Sequence, residues 1–200
     1  MEQSEMRKAL IESAVYVVSH NGIAHVTTDA LVKRANVNVA YLYRVCGGKD
    51  KLLEDTFTEL DCEFRDAIMK YIDLLYEESL PFEQRFWLFF AKVWEFIMSD
   101  KDKCSFFIYY YHSIYFNSYS IDLRKKTYKP VLEKMDPKLK DGASSWRILN
   151  HIFDVLFSSA LKAMRNHVTH DNEFVEEVFT LIYKSIEPYM NNEIIEGVTK

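Results

Sequence analysis

The side chains best suited to chemistry gather in residues 30–53. Five cations stand there against a single carboxylate, Asp50, and they are Lys33, Arg34, Arg44, Lys49 and Lys51. This segment therefore carries +4, whereas the whole chain has a formal net charge of −5, which leaves −9 on the other residues. A positive segment in an acidic chain suits contact with phosphates. A solvated helix face would show the same charges, so charge alone does not choose between the two interpretations.

Motifs of the common enzyme classes are absent from the sequence. There is no GxxxxGK phosphate loop, no GxSxG nucleophile turn and no HExxH zinc motif, and no Glu is followed by His three residues on. His167 and His170 have a spacing that metal ligands can have, but a polar turn explains them more simply. We therefore predict that the chain is not an enzyme and needs no metal or cofactor. A helical-bundle enzyme is a further alternative, but the sequence offers no set of candidate catalytic residues for it.

The cysteines indicate a reducing compartment. Cys46, Cys62 and Cys104 are odd in number and have no CxxC spacing, which fits neither a disulfide framework nor a four-ligand zinc site. Cys46 could be a reactive thiol, but a buried packing residue is the favoured interpretation. The polar N-terminus does not resemble a secretory signal, and no apolar run approaches the roughly 20 residues that span a bilayer. We expect a cytoplasmic protein without a membrane partner.

Composition and periodicity predict an all-α fold. Only five Gly and four Pro interrupt a chain that is 48% hydrophobic, and its apolar residues recur at helical spacing. Residues 106–116 are almost entirely aromatic or β-branched and could form a strand, but a lone strand would have no partner, so we predict a helix there. Residues 99–102 would be a polar connection. About nine helices are expected, near residues 5–20, 28–35, 39–45, 49–75, 81–99, 106–116, 121–135 with a bend or break at Pro130, 144–166 and 172–192.

Residues 28–45 have the pattern of a helix-turn-helix. Each of the two predicted helices is too short to be stable alone, so both must pack on their neighbours through Leu31, Ala35, Val37 and Leu42. Asn36 can adopt the left-handed conformation that a tight turn requires. In a helix-turn-helix the second helix enters the major groove of DNA. An ordinary helical hairpin would give the same pattern.

The residues of this segment resemble the head of the TetR (tetracycline-repressor-like) family. The resemblance lies in the string TTDALVKRANVNVAYLYR, from Thr27 to Arg44, and in KDKLL, from Lys49 to Leu53, which matches the family's K-[ED]-x-L opening of the fourth helix. It covers roughly residues 7–55. It implies a ligand-responsive transcriptional regulator, a repressor or an activator with repression the favoured choice, that binds a palindromic double-stranded DNA operator as a homodimer. Residues 1–50 would be the DNA-binding domain, and residues 51–200 the helical domain for ligand binding and dimerisation.

Eight residues are expected to contact DNA, namely Thr27, Thr28, Asn38, Ala40, Tyr41, Tyr43, Arg44 and Lys49. The resemblance assigns phosphate contacts to one of the two threonines, to Tyr43 and to Lys49, and such contacts set register rather than sequence. On the predicted recognition helix, Asn38, Tyr41 and Arg44 can hydrogen-bond base edges, and Ala40 can lie against a thymine methyl group.

The chain departs from the family pattern at four places. Asn36 replaces the usual Gly of the turn, Asn38 replaces the usual capping Ser, and Ala40 replaces a Gly. The aromatic pair that usually follows Tyr43 is Val45-Cys46. This last change removes a phosphate-contacting side chain and a buried Phe. It motivates an alternative, in which the chain is a protein-interaction module whose head has lost DNA binding.

The last two predicted helices suggest a dimer surface. The helix of residues 144–166 has apolar residues on two faces, and no further chain follows the final helix to cover it. A second subunit could cover both, although the two faces could also be buried within one subunit. The predicted interface residues are Trp146, Phe153, Leu156, Phe174, Val178 and Ile182.

Aromatic residues concentrate in the middle of the chain. Residues 82–128 hold 16 of the 30 aromatic side chains. Aromatic-lined cavities between helices suit apolar or planar ligands, which here would be a small inducer, although the rings could equally form an ordinary core. The predicted pocket residues are Trp87, Trp94, Tyr110, Tyr111, His112 and Phe116.

Overall fold

The computed structural model describes residues 3–77, 79–167 and 171–191. Within these ranges it has no strand, only an isolated bridge between Leu139 and Met190, so the all-α prediction is confirmed. None of the described helices is long and apolar enough to cross a membrane. The described α-helices are α1 (Gln3–Asn21), α2 (Thr28–Ala35), α3 (Val39–Cys46), α4 (Lys49–Tyr71), α5 (Phe82–Met98), α6 (Lys101–Tyr111), α7 (Ser118–Thr127), α8 (Lys129–Met135), α9 (Ser145–Met164) and α10 (Asn172–Ile186).

The aromatic segment in the middle of the chain is a helix, but it starts earlier than predicted. Helix α6 begins at Lys101 because the Asp100 carboxylate accepts the backbone N–H groups of Asp102 and Lys103 at 3.1 and 3.0 Å. The predicted polar connection is therefore an N-cap, and the strand alternative is wrong. The helix ends at Tyr111 rather than at residue 116.

The predicted break near Pro130 is confirmed and adds a tenth helix to the described chain. Helix α7 ends at Thr127 and α8 begins at Lys129, so that Pro130 lies in the first turn of α8. A first-turn proline costs the helix no hydrogen bond. Helix α4 likewise ends before the predicted limit, at Tyr71, and a 3-10 segment, Ile72–Tyr76, follows it.

The chain divides into two compact units, and their limits differ from the predicted boundary at residue 50. Unit 1 comprises the described residues up to Glu63 together with Asp100–Arg124, and unit 2 comprises Phe64–Ser99 and the described residues from Lys125 onward. The difference arises because α6 packs on the head. The rings of Phe107 and Tyr110 stack on Phe57 of α4, with centroids 5.0 and 4.5 Å apart.

The core of unit 1 holds the two short helices in place. Leu31 of α2 and Leu42 of α3 are fully buried, as are Leu10 and Val18 of α1. A buried hydrogen bond from Ser13 Oγ to the Leu31 carbonyl, at 2.8 Å, joins α1 to α2. Burial of a leucine side chain contributes about 2 kcal/mol, so these contacts stabilise helices that would not persist alone.

Unit 1 also contains a buried ion pair. Arg124 Nε of α7 lies 3.1 Å from Asp61 Oδ1 of α4, and the two side chains are 1% and 4% exposed. The guanidinium also lies over the Tyr111 and Phe107 rings, 5.2 and 5.6 Å from their centroids. Removing one member of such a pair would leave the other charge buried without its counter-ion, which is costly.

Unit 2 is built around aromatic packing between helices. Trp87 of α5 meets Phe179 of α10 edge to face, with centroids 5.0 Å apart. The Phe86 and Tyr183 rings, from the same two helices, lie 6.0 Å apart. On the other side of the unit, Phe64 of α4 meets Phe157 of α9 at 4.8 Å. Rings in these arrangements stabilise a core beyond the area that they bury.

The three thiols are expected to react at very different rates. Cys46 and Cys104 are buried, and burial raises the pKa of both, that of Cys104 to about 12, so that thiolate is scarce at pH 8. Cys62 is only half-buried. A chromogenic disulfide reagent at pH 8 should therefore titrate one thiol rapidly and the other two only after unfolding. Cys62→Ser should abolish the rapid phase; a rapid phase that survives in this variant would contradict the prediction.

Candidate nucleic-acid interface

Helix α2 and the turn after it form as local chemistry predicts. Thr27 caps the helix, since its Oγ1 accepts the Ala30 N–H at 3.2 Å. Asn36 ends the helix with φ of 52°, in the left-handed region. The next N–H, that of Val37, donates to the Val32 carbonyl at 3.0 Å, which closes the turn. The predicted tight turn at Asn36 is confirmed.

Helix α3 presents one face outward. Asn38 caps it, because its Oδ1 accepts the Ala40 N–H at 2.8 Å. Leu42 and Cys46 point into the core. We call the exposed residues Val39, Ala40, Tyr43 and Arg44 the α3 face; Tyr43 is 58% and Val39 38% exposed.

The polar side chains of α3 are partly held in place. The Arg44 Cζ atom lies 4.2 Å from the centroid of the Tyr41 ring, one helical turn away, in a cation–π contact. This contact orients the guanidinium along the helix. The Asn38 oxygen accepts the cap hydrogen bond, and its Nδ2 group can still donate to an acceptor on DNA.

Gly48 supports the Tyr43 ring. Its φ is 121°, and a Cβ atom built on it would lie 3.3 Å from Tyr43 Cε1. A side chain at this position would therefore be strained and would press on the ring. The ring packs against the loop between α3 and α4, which fixes the position of a hydroxyl that is expected to contact phosphate.

Lys49 begins α4 and is already engaged within the head. Its Nζ donates to the Val26 carbonyl at 3.4 Å and lies 3.7 Å from Asp50 Oδ1. A hydrogen bond with Tyr115 is the main cause that raises the pKa of Lys49, so it stays charged near neutral pH. It can approach a phosphate as a cation that is fixed in place.

The positive surface is smaller than the sequence count indicates. Lys51 pairs with Glu54 and Asp55, its Nζ lying 3.1 Å from Asp55 Oδ1, so its charge is compensated. Lys33 and Arg34 are exposed on α2, and the Arg34 Cζ atom lies 3.2 Å from the Tyr16 ring centroid. Neither residue was among the predicted DNA contacts, although both belonged to the positive segment, and exposed Val39 was also missed.

The Val45-Cys46 replacement does not disrupt the packing of the head. Cys46 is only 5% exposed, which confirms its interpretation as a packing residue, and Val45 is half-buried. A smaller residue thus fills the place of the family's buried Phe.

Comparison with known families identifies this head. The family model for bacterial regulatory proteins of the tetR family matches residues 10–56, which span α1, α2, α3 and the start of α4. The head of this chain is therefore a TetR-family helix-turn-helix, the kind of DNA-binding head that these transcription regulators have, as the residues of the segment predicted. A comparison with curated protein sequences finds no match.

Solved structures support the same assignment of fold. A TetR-family transcription regulator from Marinobacter aquaeolei VT8 superposes with a TM-score of 0.72 and 15% identity over 94% of this chain and 97% of that one. One from Shewanella sp. PV-4 gives 0.74 and 15%, over 94% and 99%. The regulator FadR from Bacillus subtilis, solved with stearoyl-CoA, gives 0.63 and 16%, over 88% and 96%.

Unit 2 encloses a cavity of about 110 Å³. This is several times the roughly 10–15 Å³ that one water molecule needs. Its walls come from α5, α8, α9, α10 and the end of α4, and they are mostly aliphatic and aromatic. The described lining residues include Ile68, Tyr76, Arg85, Phe90, Lys134 and Lys138.

The six predicted pocket residues do not line this cavity. Trp94 packs against Phe174 of α10, with ring centroids 6.3 Å apart, and Trp87 packs on the same helix as described above. The other four, Tyr110, Tyr111, His112 and Phe116, belong to unit 1. There Tyr110 is buried against Phe57, and Tyr111 lies 4.6 Å from Phe116. Of the six, only Trp94 and Tyr110 are buried, and His112 is exposed.

The predicted interface residues are mostly internal to the single chain. Phe153, Leu156, Val178 and Ile182 are between 0% and 4% exposed, because α9 and α10 turn them toward the core of unit 2. These four side chains are therefore not accessible to a partner, which agrees with the alternative that the apolar faces are buried within one subunit. Trp146 and Phe174 remain half-buried.

Metal binding gains no support from the described residues. The described ranges contain no group of three or more His, Cys, Asp or Glu side chains that could hold a metal ion. His167 is exposed, and its suggested partner His170 lies outside the described residues.

Proposed function

We propose that this protein is a ligand-responsive, sequence-specific repressor that binds a palindromic operator as a homodimer in the cytoplasm. The observation that carries the proposal is the α3 face, an exposed set of polar and small side chains on a helix that is capped at Asn38 and anchored by buried Leu42. A helix of this kind, placed second in a helix-turn-helix, suits the major groove.

The contacts follow from this placement. Arg44 can donate a bidentate pair to guanine, and Ala40 and Val39 can lie against thymine methyl groups. Tyr43, Lys49 and one of the two threonines would bind phosphates and set the register. Thr27 Oγ1 already accepts a hydrogen bond as N-cap, so its hydroxyl hydrogen remains for phosphate. In a dimer, the two α3 helices would be separated by about 34–36 Å to reach successive grooves.

Dimerisation would use the outer surfaces of α9 and α10. Leu181 is 64% exposed on α10, and Val155 of α9 is half-buried and does not line the cavity. A hydrogen bond of 2.8 Å between His151 and Ser185 joins the two helices beside them. Two helices from each subunit would form a four-helix interface.

Ligand response would come from the cavity of unit 2. A ligand that binds one conformation of the dimer more tightly than another shifts the population toward it. A relative of the same fold, FadR from Bacillus subtilis, was solved with stearoyl-CoA, which is an amphipathic ligand. Here a ligand would favour a head spacing that the operator cannot accept.

Selection of bound oligonucleotides from a random pool tests the DNA-binding part of the proposal. A functional head should enrich a palindrome with two half-sites about one helical turn apart. If nothing is enriched at any salt concentration, the protein-interaction alternative, in which the head has lost DNA binding, becomes the better description.

Two substitutions on the α3 face should have different effects on DNA affinity. Tyr43→Phe removes a phosphate contact and should weaken binding to every sequence, by roughly tenfold. Arg44→Lys keeps the charge but loses the bidentate fork, so it should mainly reduce the preference for the selected operator over mutated ones. Fluorescence anisotropy with the operator and with single-base variants measures both effects.

A matched control is available for the tyrosine. Tyr119, on α7, is 57% exposed, almost the same as Tyr43, and Tyr119→Phe should leave DNA affinity unchanged. If Tyr43→Phe altered sequence preference and Arg44→Lys weakened all sequences equally, the assigned roles would be reversed.

A further inference from the structure

Arg85 is an unusual residue in the wall of the unit 2 cavity. It is 8% exposed, on a helix, α5, that otherwise turns aromatic and aliphatic side chains toward the cavity. Its Nη1 donates to the Leu75 carbonyl at 3.0 Å, whereas its buried Nε has no hydrogen-bond partner. No ion pair joins Arg85 to a carboxylate among the described residues. A buried guanidinium with an unsatisfied donor is costly unless something binds it.

Two lysines share this end of the cavity with Arg85. Lys134 and Lys138 both line it, and their Nζ atoms lie 5.2 and 4.9 Å from the centroid of the Tyr76 ring. Tyr76 follows Leu75, the residue that Arg85 contacts. Lys134 is paired with Asp73 at 2.9 Å. None of the described residues lining the cavity is Asp or Glu. Asp73 balances the charge of Lys134, so Arg85 and Lys138 give this end its positive charge.

The rest of the cavity wall is apolar. Ile68, Phe90, Val93, Leu149 and Phe153 contribute only carbon atoms to the lining. A ligand that fits both parts has a hydrocarbon portion and one anionic group at its end. The planar guanidinium suits a carboxylate in particular, because two N–H groups can bind its two oxygens.

We propose that the cavity binds an amphipathic carboxylate, a fatty-acid-like molecule, whose carboxylate is recognised by Arg85. This inference rests on the proposed function and names the ligand class of the response. The carboxylate accepts the hydrogen bond that Arg85 Nε lacks, and the chain occupies the aliphatic and aromatic remainder. Arg85 is the residue that selects acids over neutral or cationic amphiphiles of the same chain length.

Calorimetric titration without DNA tests the ligand class on the wild-type chain. Dodecanoate should bind saturably, dodecanol should bind at least about tenfold more weakly, and dodecyltrimethylammonium should bind more weakly still. Dodecanoyl-CoA carries its charges beyond a neutral thioester and should also bind more weakly than dodecanoate. Absence of dodecanoate binding, or equal or tighter binding of any of the other three ligands, would overturn the inference.

Substitutions identify Arg85 as the recognising group. Arg85→Met should weaken dodecanoate binding by about 10- to 100-fold and leave dodecanol binding unchanged. Arg85→Lys should retain part of the affinity. Lys92→Met is the matched control, since Lys92 is an exposed cation of the same helix outside the cavity. If Arg85→Met does not fold, the ligand series on the wild-type chain and the dodecanoate affinity of Arg85→Lys test the inference instead. Unchanged dodecanoate affinity in a folded Arg85→Met protein would refute the role of Arg85.

The DNA response is measured separately. If dodecanoate binds in an Arg85-dependent way and lowers operator affinity, both proposals are supported. If dodecanoate binds in an Arg85-dependent way but leaves operator affinity unchanged, the ligand class is supported and the ligand-response part of the proposed function fails.

Discussion

Operator affinity is expected to fall by about 10³- to 10⁵-fold when salt is raised from 50 to 200 mM. Each head presents three cations that can approach phosphate, namely Lys33, Arg34 and Lys49, and the hydroxyl groups of Tyr43 and of one of the two threonines would add to these contacts. Two heads would thus make roughly 6–10 phosphate contacts, and each contact releases condensed counterions from the DNA. Fluorescence anisotropy with the selected operator over a series of salt concentrations measures the slope of log affinity against log salt.

A single substitution checks that the slope comes from the head. Lys33→Met removes one cation per head and should reduce the magnitude of the slope by roughly two per dimer. Lys92→Met, on α5 outside the predicted DNA interface, should leave the slope unchanged. A slope that is already near zero in the wild-type protein would show that phosphate contacts do not govern binding.

Asp61→Asn is expected to lower the free energy of unfolding by about 3–5 kcal/mol. The substitution keeps the size of the side chain but removes the charge that faces Arg124 inside unit 1, where the two are 4% and 1% exposed. A loss of this size is a large fraction of the total stability of a typical domain, about 5–15 kcal/mol. Urea unfolding followed by circular dichroism measures it.

The matched control is a surface pair in the same chain. Asp73 is 83% exposed and lies 2.9 Å from Lys134 Nζ, so Asp73→Asn should cost about 0–1 kcal/mol. Replacing both buried partners, as Asp61→Leu with Arg124→Met, should restore part of the stability that Asp61→Asn loses. Equal effects of Asp61→Asn and Asp73→Asn would contradict our account of the buried pair.

The head could be predicted from the sequence because its signals are local. Thr27, Asn36 and Asn38 each act within three or four residues of the chain, through caps and a left-handed turn, and the structure has the turn at Asn36 as predicted. The family motif adds the order in which these signals occur. The prediction from local signals was wrong at Asp100. We predicted a polar connection over this run of charged residues, but Asp100 is the N-cap of α6.

The unit boundary could not be predicted in the same way. It depends on where α6 packs, and the contact between Phe57 and Tyr110 joins residues that are far apart in sequence. An aromatic helix can complete almost any apolar core. The sequence pattern showed that α6 must be buried, but not against which partner.

The cavity was missed for a related reason. Counting aromatic residues identified a rich region, but Trp87 and Trp94 turn toward α10 and leave other side chains of α5 to face the cavity. The signal that would have indicated the cavity was a charged residue, the arginine among the phenylalanines of α5, and not the number of aromatic residues. A cation at a predicted core position is rare and needs a reason.

The left-handed backbone at Asn36 also limits how this head can vary during evolution. At φ of 52° most L-residues would cost about 1–2 kcal/mol, while glycine costs nothing there and asparagine little. Asn and the Gly that is usual in the family can therefore replace each other at this position, whereas most other residues would destabilise the head. A lineage that changed it would have to gain stability elsewhere first, so residue 36 should vary far less than the neighbouring positions that we propose contact bases.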